Sequence, residues 1–120
     1  MREIKFRAWD KVDKEMFRVI MIAFKQGSNE PIVSGRGGST SHSILMQYTG
    51  LKDKNGVEIY EGDITVLTNP LDERKFKPSK VQYEYGRYVG LGGFRDKDIQ
   101  LNIDVIGNIH EHPELLKEMN

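Results

Sequence analysis

Apolar and polar residues alternate with a period of two over several short stretches of the chain. Ile4, Phe6 and Ala8 against Lys5 and Arg7 form the first, the pattern of a strand with one buried face. Asp10-Lys11-Val12-Asp13 follows and predicts a turn, because aspartate side chains bond back to nearby backbone N–H groups. Met16 to Phe24 (MFRVIMIAF) is nearly all apolar. Its β-branched residues and the preceding turn favour strand over helix, and predict a strand covered on both faces or placed at an interface. From Lys25 to Ser43 the pattern disappears into four glycines, one proline and several Ser/Thr. That predicts a flexible loop over 25–43, interrupted by a short strand at Ile32-Val33, and a loop of this length is usually functional or mobile.

The pattern returns at Ile44 to Tyr48 as a strand. Asp53-Lys54-Asn55-Gly56 predicts a tight hairpin in which Asn-Gly supplies positive φ. The chain comes back through Val57 and Ile59, turns at Glu61-Gly62-Asp63, and continues as a strand over Ile64 to Leu67. A second loop, charged and net basic, is expected over 68–79. Val81, Tyr83 and Tyr85 alternate with polar residues, predicting a strand from Lys80 to Tyr85 with an aromatic face. Gly86 to Gly93 reads as a glycine-interrupted bend. Ile99, Leu101, Ile103 and Val105 alternate cleanly with Gln100, Asn102 and Asp104, predicting a half-buried strand. Gly107-Asn108 reads as a bend or bulge at its end. Pro113 suits the first position of a short helix carrying Leu115, Leu116 and Met119.

Composition agrees with this reading. Val and Ile number 19 and Ala only two, a balance that favours pleated strands over helices. A length of 120 residues suits a single domain. Lys+Arg and Asp+Glu are both 18, so a bulk polycation gripping nucleic acid or anionic lipid by charge alone is excluded. The absence of cysteine excludes disulfide scaffolds, thiolate metal sites and Cys nucleophiles. No apolar run approaches the roughly 18 residues of a membrane span. Met1-Arg2-Glu3 opens no secretory pattern, and the expected location is cytoplasmic, with no membrane partner.

Two segments carry a resemblance. Tyr48-Thr49-Gly50-Leu51-Lys52-Asp53-Lys54-Asn55-Gly56 and Glu58-Ile59-Tyr60-Glu61-Gly62-Asp63-Ile64 resemble the signature of the YopX family of phage and prophage proteins. Lys5-Phe6-Arg7-Ala8-Trp9-Asp10 at one end, and Val105-Ile106-Gly107-Asn108-Ile109 with Pro113-Glu114-Leu115-Leu116 at the other, are similar to the same family. The resemblance implies a mainly β fold: a small SH3-like β-barrel with β-hairpin extensions and a short C-terminal helix. It also implies a phage or prophage origin and no agreed catalytic activity. His110 and His112 stand where the family commonly has Tyr and Asn. His110-Glu111-His112 puts two imidazoles on one face of a strand, yet without a third placed ligand no metal site is assigned.

Catalytic chemistry finds little support. Ser39, Thr40, Ser41, His42 and Ser43 set hydroxyls beside an imidazole, but without the strand–turn–helix context that exposes an activated serine. No catalytic residue, cofactor or metal is expected. Two segments suit binding instead. In Arg36-Gly37-Gly38-Ser39-Thr40, glycines let backbone N–H groups converge on an anion, hydroxyls add donors, and Arg36 can grip phosphate with two prongs. Tyr83, Tyr85, Arg87 and Tyr88, near Arg74, Lys75, Lys77 and Lys80, combine aromatic faces for bases with cations for phosphates. A solvated loop and half-buried barrel tyrosines are the structural alternatives to these readings.

The apolar run at Met16–Phe24 also predicts self-association, since it carries more apolar surface than a small barrel hides. The expectation is a non-enzymatic, homo-oligomeric phage accessory protein that binds, and sequesters, a phosphate-bearing ligand such as a host immune nucleotide signal. A single-stranded nucleic-acid-binding module and an adaptor capturing a host protein are the two alternatives.

Overall fold

A computed structural model describes residues 3–35, 38–40, 42–69, 71–91 and 102–117. The alternation at the start of the chain folds as β1 (Phe6–Asp10), which turns back antiparallel into β2 (Glu15–Arg18). Asp10 organises that turn as its chemistry predicts: Oδ1 accepts the Val12 and Asp13 N–H groups at 2.8 and 3.0 Å. The bonds from Asp13 and Val12 hold its carboxyl below the ordinary range. Lys14 closes the turn in the left-handed region, at φ 58°.

The apolar run does not form one strand. Val19 donates to Phe6 O at 3.1 Å as β2 ends, and Ile20 donates to Ser34 O at 2.8 Å as the chain enters β3 (Met21–Phe24) in a different sheet. Gly35 makes the corner possible, because a Cβ there would lie 2.5 Å from Phe17 Cδ2 and 2.9 Å from Arg18 O. The run is therefore not covered on both faces: Ile20, Met21 and Phe24 stay 69, 60 and 70% exposed.

Within the segment read as a loop, β4 (Pro31–Gly35) and β5 (Gly38–Thr40) build a sheet in the order β3-β4-β5. Val33 is buried, whereas Ile32 across the pleat is exposed. With Gly and Ser making up the rest, alternation has almost nothing to show. The short strand expected at Ile32-Val33 is the centre of β4.

β6 (Ser43–Lys52) continues the chain. The chain divides into two compact units, Met1–Gln47 and Tyr48–Asn120, and β6 runs through both. In the first unit its residues 43–47 pair antiparallel with β1, and Ala8, Trp9, Val33 and Met46 are buried.

In the second unit β6 pairs with β7 (Glu58–Tyr60), with a register shift between Tyr48 and Lys52. Gly50 at φ 90° lies in the shift. Thr49 ties it down, donating its hydroxyl to Ile59 O at 2.7 Å and accepting from Leu51 N–H at 3.2 Å. β8 (Asp63–Leu67) sits between β12 (Ile103–Asn108) and β9 (Ser79–Lys80). The register of β12 shifts between Val105 and Gly107, a bulge that bends the strand and raises its twist. The core is Ile59, Val81 and Ile103, each 0–1% exposed, with Leu51, Leu67, Leu91 and Val105 against it. Each such side chain contributes about 1.5–3 kcal/mol by leaving water. A short helix, α1 (Glu114–Lys117), follows Pro113. Among the described residues, no helix is long and apolar enough to cross a membrane.

The described residues of the second expected loop form a hydrogen-bonded excursion. Thr68 bridges Lys75, Asn69 exchanges backbone bonds with Arg74 and Glu73, and Phe76 donates to Leu67 O at 2.8 Å. The strand expected over Lys80–Tyr85 is interrupted at buried Val81, which donates to Asp63 O and accepts from Gly62. Beyond it, β10 (Gln82–Glu84) and β11 (Arg87–Val89) form a separate two-stranded hairpin. Tyr85 thus belongs to a turn, and part of the expected bend at 86–93 is strand. Positions 92 and 93, like Ile99 and Leu101 of the expected last strand and Met119 of the helix, lie outside the described residues.

Candidate functional site

The β10–β11 hairpin carries four of the residues singled out above: by its register Tyr83 and Tyr88 share one face, Arg87 shares the other with Glu84, and Tyr85 stands at the tip. Its register is Gln82↔Val89, Tyr83↔Tyr88 and Glu84↔Arg87, leaving Tyr85-Gly86 as a two-residue loop. Both loop residues have positive φ, 51° and 83°, the signature of a type I′ turn whose twist matches that of the strands. Tyr83 and Tyr88 lie directly opposite each other with ring centroids 5.1 Å apart, edge to face, an arrangement that the ring quadrupoles favour. Tyr83 remains 57% exposed, Tyr85 is 97% exposed at the tip, and Arg87 is exposed on the returning strand. Gln82 Nε2 donates to Glu84 Oε2 at 2.8 Å, an oxygen of the carboxylate that stands opposite Arg87. The hairpin leaves the body of the unit through Gly90, at φ 87°. A Cβ at Gly90 would collide with Lys80 O, and its carbonyl accepts the Thr65 hydroxyl at 2.7 Å.

The basic residues preceding the hairpin are exposed along 71–77 and at Lys80. Arg74 lies over the Phe76 ring, 5.6 Å from its centroid, a cation–π contact that sequence spacing did not suggest. Lys80 sits in β9 opposite Ile64.

The other candidate segment takes a different form. Arg36 and Gly37 lie outside the described residues. Gly38, Ser39 and Thr40 are the strand β5, registered against Gly35, Ser34 and Val33. Successive N–H groups of a strand point in opposite directions, so residues 38–40 do not converge on one anion. This segment belongs to the first unit and the tyrosine hairpin to the second.

The His112 ring and the His110 backbone are part of the scaffold around the β12 bulge. Asn108 N–H donates to His112 Nδ1 at 3.2 Å. The same ring fills the place of the missing Gly107 side chain, where a Cβ would lie 2.7 Å from Nδ1. Asn108 Oδ1 accepts the His110 and Glu111 N–H groups at 3.0 and 2.9 Å, capping the turn before α1.

The signature around Asp53 proves to be a structural centre. Gly56 alone supplies positive φ, at 83°; Asn55 does not, so the tight Asn-Gly turn expected from the sequence is replaced by a five-residue connection. Asp53 holds that connection: Oδ1 accepts the Asn55 and Val57 N–H groups at 2.8 and 2.9 Å, and Oδ2 accepts Val105 N–H at 3.0 Å. Asp63 repeats the device one turn later, accepting Tyr60 N–H at 2.8 Å.

These two aspartate-centred turns and the bulge are among the segments that carried the family resemblance, with β1 at one end and the start of α1 at the other. The model of the YopX protein family matches residues 5–117, nearly the whole chain. The chain belongs to the YopX family. The crystal structure of protein EF1440 from Enterococcus faecalis is similar over 97% of this chain and 99% of its own, with a TM-score of 0.74 and 33% identity. No curated protein matches. The mainly β fold with a short C-terminal helix, implied by the YopX resemblance, is what the structure shows.

Proposed function

We propose that this YopX protein is a non-enzymatic phage or prophage accessory protein that self-associates and binds a phosphate-bearing ligand through the β10–β11 hairpin. Tyr85 carries the proposal. It is 97% exposed in the first central position of a type I′ turn, where asparagine, aspartate or glycine is the favoured choice. The left-handed backbone costs an ordinary residue about 1–2 kcal/mol, and an exposed ring returns none of it through burial. A residue that costs stability at a fully exposed tip is most simply explained by what it contacts. Arg87, one residue past the tip and on the face away from Tyr83 and Tyr88, adds a guanidinium suited to two-pronged phosphate contacts.

A nucleotide matches this chemistry, with its base on the Tyr85 ring at the tip and its phosphate on Arg87. A host immune nucleotide signal is the class whose sequestration needs no catalytic step. The test is a thermal-shift screen against nucleotides, cyclic nucleotides and short oligonucleotides, since a tight ligand raises the melting temperature by mass action. At least one nucleotide is expected to do so, and Arg87→Ala is expected to weaken its binding about tenfold or more. No shift with any nucleotide, or an Arg87→Ala chain that binds like the wild type, would overturn the proposal. In that case, a stoichiometric host protein recovered from lysate would favour the adaptor reading.

A further inference from the structure

We propose that β3 is the self-association edge: it pairs antiparallel with β3 of a second copy about a two-fold axis centred on Ile22. The inference rests on the self-association part of the proposed function and says where the contact lies. β3 ends the sheet β3-β4-β5, so one side of its backbone has no strand partner among the described residues. Exposed edges are ordinarily protected by charge, proline or a bulge. Here residues 19–24 (VIMIAF) carry no charge between Arg18 and Lys25, and Ile20, Met21 and Phe24 are 60–70% exposed.

Symmetry selects the arrangement. An antiparallel pair across one sheet edge has its two-fold perpendicular to the sheet, so each face meets itself and a residue must face one of like parity. With the axis at Ile22, Ile22 meets its own copy, Ile20 meets Phe24 of the second copy, and Met21 meets Ala23. Every contact off the axis occurs twice and Ile22 meets itself on it, as an isologous interface requires, and the two most exposed side chains of the run cover each other. Lys25 then faces Val19, and no like charges are opposed. Parallel pairing would set Arg18 beside Arg18 and Lys25 beside Lys25, which is destabilising. Centring on Ala23 would place Met21 against Lys25. The Ile22-centred register also has a receptor for Phe24. A cleft of about 220 Å³ beside β3 is lined by Ile4, Phe6, Ile20 and Ile22, together with Lys5 and Arg18, and the phenyl ring of the second copy arrives at its Ile20 wall.

Light scattering coupled to size exclusion tests this on the full chain. The wild type is expected at twice 13.8 kDa or an even multiple, and Phe24→Lys is expected to halve that mass with an unchanged circular dichroism spectrum. The chain has no cysteine, so single replacements report register. Residues facing each other in an antiparallel pair lie within disulfide range, and Ile22→Cys is expected to cross-link between copies under oxidation far faster than Phe24→Cys. A monomeric wild type would remove self-association itself. An assembly whose mass survives Phe24→Lys, or one that cross-links equally from both positions, would retain self-association and overturn β3 as its contact.

Discussion

Asp53 is 4% exposed and yet carries charge. Burial opposes ionisation, but N–H bonds from Val105, Val57 and Asn55, with Lys54 nearby, outweigh it and hold the carboxyl below its ordinary value. Both oxygens are committed, Oδ1 to its own turn and Oδ2 to β12. Asp53→Asn replaces one acceptor by an NH₂ group facing an N–H donor, and is expected to cost about 2–3 kcal/mol in urea unfolding at pH 7. The pH dependence has a defined sign. Because the folded chain holds the carboxylate more strongly than the unfolded one, the contribution is whole above about pH 5 and fades as pH falls below about 4. The gap between wild type and Asp53→Asn should therefore narrow at pH 3; an equal gap at pH 7 and pH 3 would show that charge is not what Asp53 supplies. Half of this residue's role was legible in the sequence. Asp-x-Asn-Gly announces a turn because aspartate bonds its own backbone two residues on, whereas the bond to Val105, 52 residues away, leaves no local mark.

Legibility varies from element to element for a physical reason: periodicity is visible only where one face is buried and the other is not. The described part of β12 met that condition at buried Ile103, and the glycine at its bulge was readable as well. β4 did not, since Val33 is its one buried position, and β5 is Gly-Ser-Thr, small residues that show no alternation. The division of the apolar run into β2 and β3 was hidden differently, because the corner depends on Gly35 from a distant strand. The β10–β11 hairpin was legible as tyrosines and an arginine but not as a hairpin, because its turn carries tyrosine where asparagine would have announced it. That misfit separates stability from binding. Tyr85→Asn gives the turn the residue its φ prefers, and is expected to raise stability by about 0.5–1 kcal/mol while weakening the nucleotide found by the screen. A variant that loses stability would mean that the ring packs in a way its 97% exposure denies. One that gains stability and binds unchanged would take Tyr85 out of the ligand contact.

For the whole molecule, a formal net charge of zero divides the candidate ligands by how their binding responds to salt. A chain without net charge does not attract a polyanion from a distance, so a single-stranded nucleic acid would have to be held by local contacts. The exposed cations on the hairpin and the segment before it are Arg74, Lys75, Lys77, Lys80 and Arg87. Engaging all five phosphate by phosphate would release counterions along the strand and make log K fall with log salt at a slope of roughly −3 to −4. A nucleotide held by Arg87 and an aromatic face engages one or two charges and should show a slope nearer −1. Isothermal titration between 50 and 500 mM salt distinguishes the two, and the shallow slope is the expected result. A steep one, together with loss of binding in a Lys75→Ala, Lys77→Ala double variant, would transfer the hairpin to single-strand binding and make the basic excursion before it part of the site. The same measurement constrains the basic residues individually. A nucleotide held at Arg87 leaves Arg74 in its place over Phe76, so Arg74→Ala should leave the slope for a nucleotide unchanged, whereas Arg87→Ala should flatten it as affinity falls.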